Sequence, residues 1–157
     1  MTPEFSLQRA DLADLSAILK LVEELHKAEH IGLEPDVRRE AVENLIDSPA
    51  LGGVWVMRAE TAAGHRVIGY VAIAYGFSIA FGGRDGFLDE ICIAADYRGR
   101  GIGSAAIARL KAVLKADGIK ALHLEVNRDN ERAQALYGSL GFEMRRQYHL
   151  MTVEFED

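Results

Sequence analysis

The sequence predicts an α/β protein with a mixed central sheet of about seven strands and about four flanking helices. Helix-spaced and strand-like segments interleave along the chain, Gly- and Pro-containing breaks separate them, and two strand-like segments follow each other directly near the end. Interleaving gives helices packed on a sheet. Consecutive strands without a crossover give antiparallel neighbours within it.

Residues 5–9 alternate as a short strand, and Asp11 is placed to N-cap a helix whose apolar face is Leu12, Leu15, Ile18, Leu19, Val22 and Leu25, ending near Gly32. Pro35-Asp36 starts a second helix to about Asp47, which Pro49 and Gly52-Gly53 break before a strand over 54–59. Segments 66–78 and 87–95 are rich in β-branched and aromatic residues and read as an antiparallel pair at the centre of the sheet. Residues 61–65 and 82–86 read as loops. Over 101–117, Ile102, Ala106, Leu110, Val113 and Leu114 fall at helical spacing, and Gly118 is a C-terminal stop. A strand over 121–126 follows. Asn130 then caps a helix with Ala133, Leu136, Tyr137 and Leu140 inward, ended by Gly141, and segments 142–148 and 150–155 read as the two final strands.

The chain has 157 residues, 49% of them hydrophobic, with no repeat or low-complexity tract, so residues 1–157 are expected to form a single domain. A formal net charge of −6 argues against a nucleic-acid binder and suits a cationic substrate, which an acidic surface steers inward. The lone Cys92 excludes an internal disulfide. Neither a charged-then-apolar leader nor an apolar run of about eighteen residues is present, so a cytoplasmic protein with no membrane partner is expected.

The most informative stretch is Arg98-Gly99-Arg100-Gly101-Ile102-Gly103-Ser104, which follows an apolar strand and opens a helix. Small residues leave backbone N–H groups uncovered, the helix start carries a partial positive charge, and Arg98 and Arg100 add cations beside it. The pattern predicts a cradle for a pyrophosphate. Gly101-x-Gly103-x-x-Ala106 also satisfies the dinucleotide-binding fingerprint, but that fold places it after the first strand with several βα units to follow, and here only about fifty residues remain.

Taken together, Leu88-Asp-Glu-Ile-Cys-Ile93, Tyr97-Arg-Gly-Arg-Gly-Ile-Gly103 and Asn130 with Ala133, Tyr137, Gly141 and Phe142 resemble the GNAT superfamily of acetyl-CoA-dependent N-acetyltransferases. The specific part is residues 87–142; the first 85 match only in their order of elements. The resemblance implies direct acetyl transfer from acetyl-CoA to an amine, with no metal. It puts the CoA pyrophosphate on residues 98–104, and the pantetheine arm along the freed backbone of Ile91, Cys92 and Ile93, where that strand splays from its parallel neighbour. Asn130 then either reaches the pantetheine or simply caps its helix. Tyr137 is the family's proton donor to the departing thiolate, or else packs with Leu136 and Leu140. Asp89 aligns with an acidic residue of the polyamine and aminoglycoside branches and is the preferred base, with Glu90 next; on a regular strand only one of them serves the cleft directly. Cys92 reads as a small buried hydrophobe and not as a nucleophile.

The acceptor expected from these features is a small cationic amine: a polyamine, an aminoglycoside or an amino acid. A protein N-acetyltransferase and a non-catalytic acyl-CoA sensor are the alternatives, and a homodimer is expected. His26-Lys-Ala-Glu29-His30 matches a zinc-peptidase pattern, but no third ligand stands out, so these residues are read as a solvated helix end or a wall of the acceptor cleft. Trp55 reads as core.

Overall fold

The computed structural model describes residues 1–157, which divide into two compact units, Met1–Glu125 and Val126–Asp157. In the first unit, β1 (Ser6–Arg9), β2 (Gly52–Thr61), β3 (Gly64–Ser78), β4 (Gly83–Ile93) and β5 (Leu122–Leu124) form one sheet in sequence order. All pairs are antiparallel except β4 with β5, which is parallel, so the sheet is mixed and β3 and β4 lie at its heart as expected. Its helices are α1 (Leu15–Ala28), α2 (Pro35–Asp47) and α3 (Ile102–Ala116); the second unit contains α4 (Glu131–Ser139).

The sheet has five strands where the sequence predicts about seven. Segments 142–148 and 150–155 form no ladder, and their alternating side chains are left largely in water: Tyr148, Leu150, Met151, Val153 and Phe155 are all exposed. Alternation is necessary for a half-buried strand but insufficient without a partner to satisfy its backbone. The expected loop at 82–86 is also mostly strand. The reversal takes place over residues 79–82, and Gly86 lies within β4, paired with Tyr75 and Leu122, where Ile73 and Leu122 come to 3.3 Å of the position a Cβ would take.

Asp11 begins the first helix through a capping box: its Oδ1 accepts from the Ala13 N–H at 2.9 Å, and Asp14 Oδ2 accepts from the Asp11 N–H at 3.1 Å. A short 3-10 turn over Leu12–Asp14 leads into α1, and Arg58 anchors the buried Asp14 at 2.8 Å. The helix stops at Ala28, before Gly32. His30 adopts φ 57°, and the N–H of Ile31 closes back on the His26 carbonyl at 2.8 Å, a Schellman turn with histidine in the usual glycine place. Ile18, Leu21 and Val22 pack on Val54, Val56, Tyr70, Ala72 and Cys92. Leu21 therefore replaces the exposed Leu12 in the expected apolar face, as Ile107 replaces Val113 in α3.

Trp55 is core, as expected, although Arg9 stacks on its ring at 4.5 Å. No helix is long and apolar enough to cross a membrane.

Candidate active site

A 3-10 turn over Ala95–Tyr97 joins β4 to the glycine loop, where Gly99 and Gly101 have φ 72° and 79°, a left-handed conformation that favours glycine. Gly101 is the N-cap of α3 and has no side chain to cap it. The first helical bond is Ala105 N–H to Gly101 O, so the N–H groups of Ile102, Gly103 and Ser104 precede the ladder and point out of the helix start. A Cβ on Gly101 would lie 2.8 Å from Thr2 Oγ1, whereas one on Gly103 would meet Ile91 and Ile93 only at ordinary contact distances. Of the two loop cations, Arg98 is tied back by Nε to the Ile93 carbonyl at 2.8 Å, while Arg100 is exposed and lies over the Tyr97 ring. Uncovered N–H groups at a helix start, with one anchored and one outlying guanidinium beside them, are an arrangement that suits an anion.

Beside the cradle the sheet opens. The β4–β5 ladder pairs only Gly86, Phe87 and Leu88 with Leu122, His123 and Leu124, while on its other edge β4 stays paired with β3 as far as Ile93. The β5-side backbone of residues 89–93 therefore has no strand beside it, in agreement with the splay that the family resemblance implies. Cys92 is buried in the apolar cluster, and burial pushes its thiol pKa up, which favours the protonated form.

At the start of this open edge the register slips. Ala72 pairs with Glu90 and Ile73 with Leu88, leaving Asp89 as the extra residue of a β-bulge. Ala72 and Ile73 face opposite sides of the sheet, so Leu88 and Glu90 do too, and strict alternation ends at Asp89. The expectation that only one of the two carboxylates can serve one side assumed a regular strand, and the bulge removes that restriction. Asp89 is solvent-facing, yet partial withdrawal from water, with the charges of Glu90 and Glu125 nearby, raises its pKa above the ordinary carboxylate value, against a smaller opposing effect of His26.

Glu90 is held from two directions. His26 Nε2 lies 2.6 Å from its Oε2, and the Tyr70 hydroxyl donates to its Oε1 at 2.8 Å. Arg38 Nε in turn donates to His26 Nδ1 at 3.3 Å, and Arg38 Nη2 donates to the Leu33 carbonyl at 3.0 Å. His26 is thus buried and committed to the sheet; it is not part of a solvated helix end. Glu29 and His30 are exposed, so the zinc-like triplet does not converge. Tyr70, Arg38 and Glu125 carried no signal of their own in the sequence. The signal for His26 was its place one turn after Val22 on the buried stripe of α1.

In the second unit, Asn130 Oδ1 accepts from the Ala133 N–H at 3.0 Å, which is an N-cap. Tyr137 is half-buried, stands edge-on to Phe142 with ring centroids 5.9 Å apart, and has its pKa raised by burial. Leu136, expected inward, is exposed.

A sequence model described as the acetyltransferase (GNAT) family matches residues 19–142. A thialysine N-epsilon-acetyltransferase from Bos taurus is 29% identical over 140 residues, covering 86% of this chain and 82% of the relative. A ribosomal protein bS18 alanine N-acetyltransferase from Escherichia coli K12 is 35% identical over 102 residues, or 60% of this chain and 69% of the relative. The solved structure of a possible acetyltransferase from Clostridium difficile 630 matches with a TM-score of 0.82 at 24% identity, covering 98% of this chain and 99% of that one, a likeness of fold.

Proposed function

The chain belongs to the GNAT acetyltransferase family, whose members use acetyl-CoA, and we propose that it passes the acetyl group directly to the amine of a small cationic acceptor. The observation that carries this reading is the succession along the chain of a bulge at Asp89 beside Glu90, an open backbone edge of β4 from 89 to 93, and the start of α3 at Ile102 with no side-chain cap.

These residues suit CoA. The N–H groups of Ile102, Gly103 and Ser104 would take the diphosphate, each charge-assisted bond worth about 1.5–3 kcal/mol, with Arg98 and Arg100 adding charge. The backbone of Ile91, Cys92 and Ile93 would pair with the pantetheine amides as an added strand would. Asn130 contributes its cap to α4 and, in this reading, a polar neighbour for the same arm. When bound, acetyl-CoA supplies an acetyl group activated as a thioester.

Asp89 accepts the proton of the incoming ammonium. An aliphatic amine of pKa about 10.4 is held against deprotonation at pH 7 by about 4.6 kcal/mol, and a positioned base, worth about 10²–10⁴ in rate, offsets most of that. A raised pKa makes Asp89 a better proton acceptor than an ordinary aspartate, and both oxygens of Glu90 already take hydrogen bonds, which favours Asp89. Tyr137, whose phenol burial keeps protonated, gives its proton to the departing sulfur.

The Bos taurus relative, named for acetylating thialysine, supports an amino-acid-like amine. The Escherichia coli relative, named for a ribosomal protein alanine, favours a second reading, a protein N-terminus. The test is calorimetric titration with acetyl-CoA followed by thiol-release assay against polyamines, aminoglycosides, amino acids and N-terminal peptides. Binding with thiol release on a small amine supports the first reading, and release on peptides alone the second. Failure to bind acetyl-CoA overturns both.

A further inference from the structure

Four elements meet at Glu90. Arg38 comes from α2, His26 from α1, Tyr70 from β3 and the carboxylate itself from β4, and the sequence separations of 12, 20 and 64 residues make this a product of tertiary folding. The chain of contacts has one direction. A guanidinium has only N–H groups to offer, so His26 Nδ1, facing Arg38 Nε, is an acceptor and its hydrogen lies on Nε2. Nε2–H then donates to Glu90 Oε2, while Tyr70 donates to Oε1, and each oxygen of Glu90 spends one of its acceptor sites.

We infer that Arg38, His26 and Tyr70 are positioning residues, which hold the Glu90 carboxylate in one orientation beside Asp89 and act on acetyl transfer only through it. This rests on the transferase reading above. The histidine fits the role because it is buried, has both ring nitrogens occupied and sits where a proton donor of fixed direction is needed. Tyr70 is 1% exposed, and burial beside Glu90 raises its pKa, so its hydroxyl remains a donor throughout the neutral range. Glu90 in turn bears on Asp89, since its charge is among the causes that raise the pKa of that neighbour. Because Arg38 also grips the Leu33 carbonyl, the network ties the backbone between α1 and α2 to the carboxylate pair.

A positioning role differs from proton relay, and the difference is measurable. His26→Gln keeps an N–H where Nε2 was but has no titrating nitrogen; His26→Leu fills the space and removes the donor. We expect His26→Leu to lower kcat by about 10–10²-fold with KM for acetyl-CoA unchanged, the size of a small misplacement at a reacting centre, and His26→Gln to restore most of it. Nitrogen-15 NMR of the ring in the wild-type protein should show Nε2 protonated and Nδ1 bare at neutral pH. Arg38→Met, on the partly exposed surface of α2, should allow hydrogen on Nδ1.

A glutamine variant as slow as the leucine variant would overturn the positioning role, as would an unchanged kcat in His26→Leu or an Nδ1–H tautomer in the wild type. A wild-type protein that releases no thiol with any amine overturns the transferase reading instead. The tautomer, which needs no turnover, then decides the Arg38–His26 geometry alone.

Discussion

Asp89 and Glu90 are consecutive in the chain, yet Glu90 pairs with Ala72 across the ladder and Asp89 pairs with no residue of β3. The single inserted residue sets two carboxylates side by side with different surroundings. Glu90 is fastened by His26 and Tyr70, while Asp89 faces solvent with its pKa raised. In the proposed mechanism this division separates the base from the charge that tunes it.

Replacing Asp89 by Asn should lower kcat/KM by about 10²–10⁴ while making the protein more stable at neutral pH. Because folding raises the pKa of this carboxyl, its ionisation opposes folding. The penalty is absent below the unfolded-state value of about 3.9, grows as pH rises toward the folded value, and is constant above it. Thermal melting should show Asp89→Asn above wild type at pH 7, with the gap closing in acid. A wild type as stable as the variant at pH 7 would remove this explanation.

Glu125 belongs to the same electrostatic set, with Glu90 also raising the pKa of Asp89 and His26 lowering it. Glu125→Gln removes one raising charge, so the acid limb of the kcat/KM profile should move to lower pH. A limb that stays in place would mean that Asp89 is not the group it reports.

The two loop glycines separate backbone strain from ligand space. Gly101→Ala forces a side chain into a left-handed conformation, costing about 1–2 kcal/mol of stability, and places a methyl against Thr2. Gly103→Ala meets only ordinary contacts and should leave the melting temperature nearly unchanged. Both cover N–H groups of the cradle, so calorimetry should show acetyl-CoA affinity reduced about tenfold or more in each. Undiminished affinity in Gly103→Ala would place the diphosphate elsewhere.

Tyr137→Phe keeps the ring that meets Phe142 and removes only the hydroxyl. Turnover should fall by about 10²-fold or more, with acetyl-CoA affinity unchanged within about twofold. Equal loss of binding would leave packing as the explanation for this residue.

By itself the sequence determined the α/β class, the mixed sheet with four helices, the Asp11 and Asn130 caps and the glycine loop opening α3. These are local properties, set by periodicity, capping chemistry and glycine at left-handed positions. The splay of β4 from β5 was expected only through the family resemblance, and the ladder ending at Leu88 agrees with it. Tertiary structure decided the rest. Segments 142–148 and 150–155 alternate like strands yet form no ladder, because ladder pairing depends on a partner edge that no single segment specifies. The bulge at Asp89 exists only relative to β3, since a register is a relation between two strands. From the sequence, His26 read as part of a solvated helix end or a wall of the acceptor cleft. What made it part of the site was Glu90, 64 residues away, brought to it by the packing of α1 on the sheet.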